Sequence, residues 1–310
     1  MPSGAMTLLE AAKTMPRCHA RDVIGTYASA YQPMMAMSLL DAPGGTYPWN
    51  IENELPYTTG GTRNIDGSYT ESRSNISPFV ETFKIYGGQV KIDRAIATAN
   101  PAKVPQEIAS QVRARARIWT KDLFEGAGGT ALRGFEDWLD NEVLFASQTV
   151  NVGTASTGSV LLTDHLDQLL NKIKISPGNT FIYTSNTLGM RANKLSRGTN
   201  VSGDISFQNR YSPNQWGMYN GSYGGVPIVP LVDGKGTDIL STDDGDGNSS
   251  AVYAVTYGPE LVTGFQMGMP AVLPLSDASV YNYFDLEWYV GMAPQAIKSI
   301  ARLRYVAETL

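Results

Sequence analysis

Apolar residues recur at spacings of three and four through Ile108, Val112, Ala116, Trp119 and Leu123. That period predicts an amphipathic helix with Pro105 in its first turn, running to about Glu125, some 30 Å at about 1.5 Å per residue. Arg113, Arg115, Arg117 and Lys121 fall on its polar side, and Gly126-Ala127-Gly128-Gly129 ends it. Leu132, Phe135, Leu139 and Val143 predict a second helix from about Thr130. Leu166, Leu169, Leu170 and Ile173 predict a third, capped by Thr163 and closed by Pro177-Gly178. Ser185 caps a fourth, to about Leu195.

Elsewhere the period is two. Phe83 and Ile85, then Val90 and Ile92, alternate with polar residues across Gly87-Gly88, which predicts one strand with a bulge or bend. Phe181 to Tyr183, Val226 to Val232, Ala251 to Val255, Phe284 to Val290 and Arg302 to Val306 read as further strands. Between Thr58 and Ser77 the chain is rich in Thr, Ser, Gly and Asn, with Asp66-Gly67 as a turn signal and little to bury. Ordering backbone costs roughly 1 to 2 kcal/mol per residue, so a polar ribbon over Glu54 to Asp93 cannot stand alone and is laid across a partner surface or left mobile. Before it, Pro16, Pro33, Pro43 and Pro48 break up short apolar pieces such as Met34 to Leu40 into an extended arm expected to lie on another surface.

Composition narrows the function. The 310 residues are 42% hydrophobic and 17% charged, with 31 glycines and 17 prolines, which suits a packed α+β fold and excludes coiled coil and collagen. A net charge of −5 argues against a protein whose main task is gripping nucleic acid. One cysteine, Cys18, excludes an intrachain disulfide framework. The chain carries no apolar run of membrane-spanning length and no signal-peptide pattern at its start, so it is read as soluble, with no membrane partner.

Candidate chemistry is sparse. The histidines are His19 and His165; His165 falls off the Leu stripe, and His19 beside Cys18 on an extended segment points to the opposite face. Gly234-Lys235-Gly236-Thr237 lacks the Walker spacing, having Gly236 where Ser or Thr belongs. Asp244, Asp246 and Asn248 alternate as a calcium loop does, but Val255 stands where a bidentate Glu is needed, so they are weak metal candidates and turn chemistry is the default. The basic row on the long helix lacks interleaved aromatics and reads as a solvated face balanced by Asp122 and Glu125. No catalytic constellation emerges, no cofactor is expected, and the chain is not expected to be an enzyme.

The order of these elements resembles the major capsid proteins of tailed bacteriophages with the HK97-type fold. The resemblance rests on the strand Phe83 to Arg94, the long helix, and the C-terminal segments Ser250 to Gly258, Val262 to Gln266, Leu286 to Ala293 and Ala301 to Arg304. It implies an N-terminal arm over 1–53, an E-loop β-ribbon over 54–98, a peripheral domain with its spine helix over 99–157, a mixed α/β axial domain over 158–270 and peripheral return strands over 271–310. It also implies a function: self-assembly through pentamers and hexamers into an icosahedral shell enclosing phage double-stranded DNA, in the virion and, during assembly, the host cytoplasm. Expected partners are further copies of the chain, with scaffolding, portal and decoration proteins possible and packaged DNA contacted weakly. The arm starts near the N-terminus, implying a separate scaffold or none. Some members cross-link Lys to Asn; Lys84 and Lys91 lie at the ribbon's base, so that reaction is not expected here.

Expected assembly contacts are Arg63, Asp66, Tyr69, Phe83 and Ile85 on the ribbon and Met34, Met35 and Leu39 on the arm. Gly87-Gly88 and Gly126 to Gly129 are expected to flex between rings of five and six. The alternative function, a soluble carboxylate- or calcium-dependent hydrolase, rests on the Asp244 to Asn248 loop alone.

Overall fold

A computed structural model describes residues 32–54, 64–68, 74–154, 157–198, 205–206, 221–233, 236–241, 249–274 and 280–308. Cys18, His19, Arg63, Tyr69, Gly234, Lys235, Asp244, Asp246 and Asn248 lie outside these residues.

The arm begins with helix α1 (Gln32–Ala36) and strand β1 (Leu39–Asp41). A ribbon of β2 (Thr46–Glu54) and β3 (Asn75–Thr82) follows, then β4 (Lys84–Asp93). Helices α2 (Arg94–Ala99), α3 (Lys103–Glu125) and α4 (Phe135–Asn141) lead to β5 (Thr149–Asn151). The mixed region contains α5 (Thr163–Lys172), β6 (Thr180–Thr184), α6 (Asn186–Gly198), β7 (Ile205–Ser206), β8 (Ser222–Tyr223) and β9 (Val226–Pro230). The chain returns through β10 (Ser249–Thr256), β11 (Val262–Gln266), β12 (Ala271–Pro274), β13 (Tyr281–Pro294) and β14 (Ile300–Ala307).

Two larger sheets organise the body. The first runs β1-β11-β13-β12, with β4 on the other side of β13, and only β1 is parallel to its neighbour. Its inner face carries Tyr86, Val90, Ile92, Leu286, Trp288 and Val290 beside the α3 stripe, where Trp119 meets Trp288 at 5.8 Å between ring centroids. The second sheet runs β5-β14-β10-β6-β9-β8-β7. Its central strand β10 is buried at every position. Tyr253 and Val255 belong to the core shared with α3, and Val252 and Ala254 to the core under α5, so alternate residues serve opposite faces. Covering both faces explains why this strand reads as an unbroken apolar run.

The helices depart from the pattern at their ends. The three- and four-residue spacing of Leu132, Phe135 and Leu139 predicts a helix from about Thr130, yet α4 starts at Phe135 because residues 126–134 form a closed loop: Gly134 N–H donates to Gly126 O and Gly128 N–H to Leu132 O. Thr163 lies inside α5, and no side chain caps it; His165 Nδ1 instead accepts from the Leu162 N–H at 3.2 Å, so this histidine ties down the helix start. Ser185 caps α6 as expected, accepting from Leu188 N–H.

Candidate assembly surfaces

The ribbon is built from two faces of opposite character. Its first limb, β2, lies in a stretch the sequence pattern gives to the arm, and it pairs antiparallel with β3, Trp49 opposite Phe79 and Pro48 opposite Val80. On the inner face Tyr47 stacks on Phe265 at 4.9 Å, and Trp49 and Phe79 reach Trp138 of α4 at 5.8 and 5.6 Å. The outer face shows Pro48, Asn50, Glu52, Pro78, Ile76 and Val80, with Ile76 52% and Val80 62% exposed. A register shift between Glu52 and Glu54 places the bulge at Asn53, whose amide donates to Ser77 Oγ at 2.8 Å. At the tip, Asn64 to Ser68 are all exposed; Asp66 takes the left-handed conformation (φ 67°) of the turn its Asp-Gly pair signals, and Ile65 is 94% exposed.

The ribbon root is anchored at Tyr47, which stacks on Phe265 and accepts from Gln295, and at Arg133. The Arg133 guanidinium meets Asp137 at 2.5 Å, Glu142 at 3.0 Å and Glu81 of β3 at 3.9 Å, and lies 3.8 Å from the Trp138 ring centre. Burial pushes the Glu81 carboxyl above its usual range, opposed by Arg133 and Lys84. Next door, Tyr86 OH donates to Asp122 Oδ2 at 2.9 Å and accepts from Leu132 N–H, while Lys84 Nζ donates to Gly129 O. Burial, with Asp122 beside it, raises the Tyr86 hydroxyl, so it stays a donor.

At Gly87, Gly88 and Gly126 these contacts correct the expectation of hinges, whereas Gly128 and Gly129 have positive φ and open space about them. β4 pairs with β13 in unbroken register from Lys84 to Asp93, without a bulge. A Cβ on Gly87 would stand 2.1 Å from Leu286 O, and one on Gly88 would stand 2.5 Å from the Arg115 guanidinium that lies over it. Gly126 is equally confined, 2.2 Å from Leu132 O on the same construction. These glycines serve close approach.

The arm contacts are corrected as well. Met34 and Leu39 are buried within the chain's own core, β1 pairs with β11, and Gln32 accepts a hydrogen bond from the buried Tyr183 hydroxyl. The chain therefore covers these two side chains itself, and Met35 is half-buried beside them. Phe83 packs edge-on against Phe265 at 5.1 Å, whereas Ile85 stays 63% exposed on the outer face of the β4–β13 pair. Asp66 stands at the tip, so the structure brings no two of the described ribbon candidates, Asp66, Phe83 and Ile85, into a single site.

The basic row on α3 is partly neutralised: Arg117 pairs with Asp233 at 3.6 Å and Lys121 with Glu125 at 4.0 Å. Sequence reasoning missed Arg302, whose side chain is fully buried and binds Glu136 at 3.1 Å and Asp140, tying β14 to α4. It also missed Arg133, whose signal was the i,i+4 spacing to Asp137. Among the described residues no group of three or more His, Cys, Asp or Glu side chains is placed to hold a metal ion, and no helix is long and apolar enough to cross a membrane.

A two-limbed ribbon, a long helix beside a five-stranded sheet and a separate mixed sheet are the elements of the HK97-type fold. Solved structures agree. The chain superposes on the SrpI encapsulin of Synechococcus elongatus PCC 7942 with a TM-score of 0.63 and 14% identity, covering 88% of this chain and 86% of that one. It superposes on the capsid of a native GTA particle at 0.63 and 13%, covering 94% and 92%, and on the cyanophage A-1(L) capsid at 0.63 and 13%, covering 89% and 93%. At these identities the likeness establishes the fold. No family model and no curated protein matches the chain by sequence.

Proposed function

We propose that the chain is a major capsid protein, self-assembling through rings of five and six copies into a closed icosahedral shell around phage double-stranded DNA. The observation that carries this reading is the ribbon, which spends one face on its own body and leaves Ile76, Pro78 and Val80 exposed on the other. Such an element gains a second covered face only on another molecule, and a heterologous contact of this kind closes into rings. The fold, shared with phage and GTA capsids, supports the same conclusion. Ile85, Asp66 and the ribbon's outer face are the contacts assigned to neighbouring copies; scaffolding, portal and decoration proteins would act on the shell so formed.

A second reading of the contents follows from the encapsulin likeness, because a shell of this fold is a container whatever it holds. The chain's acidic balance keeps the wall from clamping DNA, which suits a genome that must be packed and released. Negative-stain microscopy and sedimentation of the purified protein test the assembly; closed shells are expected, and compact monomers at every concentration and salt would refute it. Nuclease-protected DNA in particles recovered from infected cells separates a genome shell from a protein container.

A further inference from the structure

We propose that Arg133 is the positioning residue of assembly, fixing the direction in which the ribbon leaves the body. This deepens the shell reading and rests on it for its functional meaning. The ion pair between the described ribbon and the body joins Glu81 to this guanidinium, and two of the ribbon's aromatic contacts go to the ring beneath it: Trp49 and Phe79 both meet Trp138, over which Arg133 lies at 3.8 Å. The other carboxylates on Arg133 come from different places, Asp137 in α4 and Glu142 just after it, so the cation is held from the body side at 2.5 and 3.0 Å and reaches outward to the ribbon at 3.9 Å. Its side chain is only 21% exposed, which shields these contacts from water. A planar fork with several donors suits this task better than a lysine, since it holds two carboxylates and lies flat on an indole at once.

The geometry separates direction from stability. The body-side contacts to Asp137 and Glu142 hold the 126–134 loop, and the ribbon-side contact to Glu81 sets the angle. Glu81 also faces Lys84 on β4, and Asp137 is the nearest like charge. Glu81→Gln removes the charge that meets Arg133 and Lys84, leaving the loop and the Trp138 stack in place. A ribbon left with its aromatic contacts and the hydrogen bond from Gln295 to the Tyr47 hydroxyl is held near β11 and freer to tilt at β3, and a small error in angle at each copy accumulates around a closed ring.

The test uses the full chain with Glu81→Gln, Arg133→Met and the pair combined. Hydrogen exchange on unassembled subunit is read at the β3 amides 76–82, and particles are sized by microscopy well below every variant's melting temperature. Both single variants are expected to speed exchange at 76–82 by about threefold to fivefold, as loss of one partly exposed ionic contact allows, and the double variant to add nothing further to Arg133→Met. Glu81→Gln is expected to keep the parent's melting temperature yet give open sheets and misclosed particles. Unchanged exchange at 76–82 in both single variants overturns the proposal. So do parental particles from Glu81→Gln, which would leave Arg133 a merely stabilising residue. The exchange arm decides even where the parent forms no shell, a result that counts against the shell reading instead.

Discussion

Substitutions on the two faces of the ribbon should have opposite consequences. Trp49 is 7% exposed between Phe79 and Trp138, so Trp49→Ala is expected to destabilise the subunit by about 3–5 kcal/mol. Ile76 and Val80 leave about half their surface in water, so Ile76→Ser and Val80→Ser should each cost the subunit about 1 kcal/mol for the half already covered, well short of Trp49→Ala. The exposed half belongs to assembly. Burying an Ile or Val side chain fully contributes about 1.5–3 kcal/mol, and with half already covered about 1 kcal/mol each remains for a neighbour to gain. Together that is about 2 kcal/mol per contact, or about 30-fold in association constant. Urea unfolding of the subunit and the concentration at which light scattering marks assembly measure the two quantities separately. The reasoning fails if the outer-face pair unfolds as readily as Trp49→Ala, or assembles at the parent's concentration.

Three further outcomes follow from particular contacts. Arg302 is fully buried whereas Glu136 and Asp140 keep about a third of their exposure, so Glu136→Gln with Asp140→Asn should cost about 3–5 kcal/mol and Arg302→Met clearly less in urea unfolding; equal losses would contradict this account of the pair. Gly87→Ala forces a Cβ onto Leu286 O and should cost about 1–3 kcal/mol or more in the same assay, whereas a hinge glycine would tolerate the change. Burial raises Asp122 above the ordinary carboxylate range. A raised folded-state pKa means stability present below the unfolded value and lost as pH rises through the folded one. Asp122→Asn, which can still accept from Tyr86, should therefore flatten the fall in melting temperature just above the usual carboxylate range; a steeper fall would refute the assignment.

What the sequence disclosed follows from how local each signal is. The α3 stripe and the strand β10 depend on neighbours a few residues away, and both lie where the pattern predicts. β2 was hidden by Pro48, which reads as a breaker although proline is admissible in an edge strand, and the alternation of Trp49 and Ile51 with Asn50 and Glu52 is the signal that was available. The glycine pairs carry no mark of whether they bend or merely allow close approach; that depends on Leu286 O and Arg115, remote in sequence. Arg133 and Arg302 look like any surface cation until the carboxylates from β3 and α4 are brought to them. Met34 and Leu39 carry the apolar signal of side chains that need cover, and the cover comes from β11 and the chain's own core, remote in sequence.

The central claim is that this subunit completes its ribbon on another copy. A cryo-electron microscopy map of assembled particles tests it most directly. Rings of five and six are expected, in which Ile76, Pro78 and Val80 of each ribbon lie covered against the next copy. Particles in which that face stands open to solvent, or a protein that yields no particles and remains a compact monomer, would contradict it.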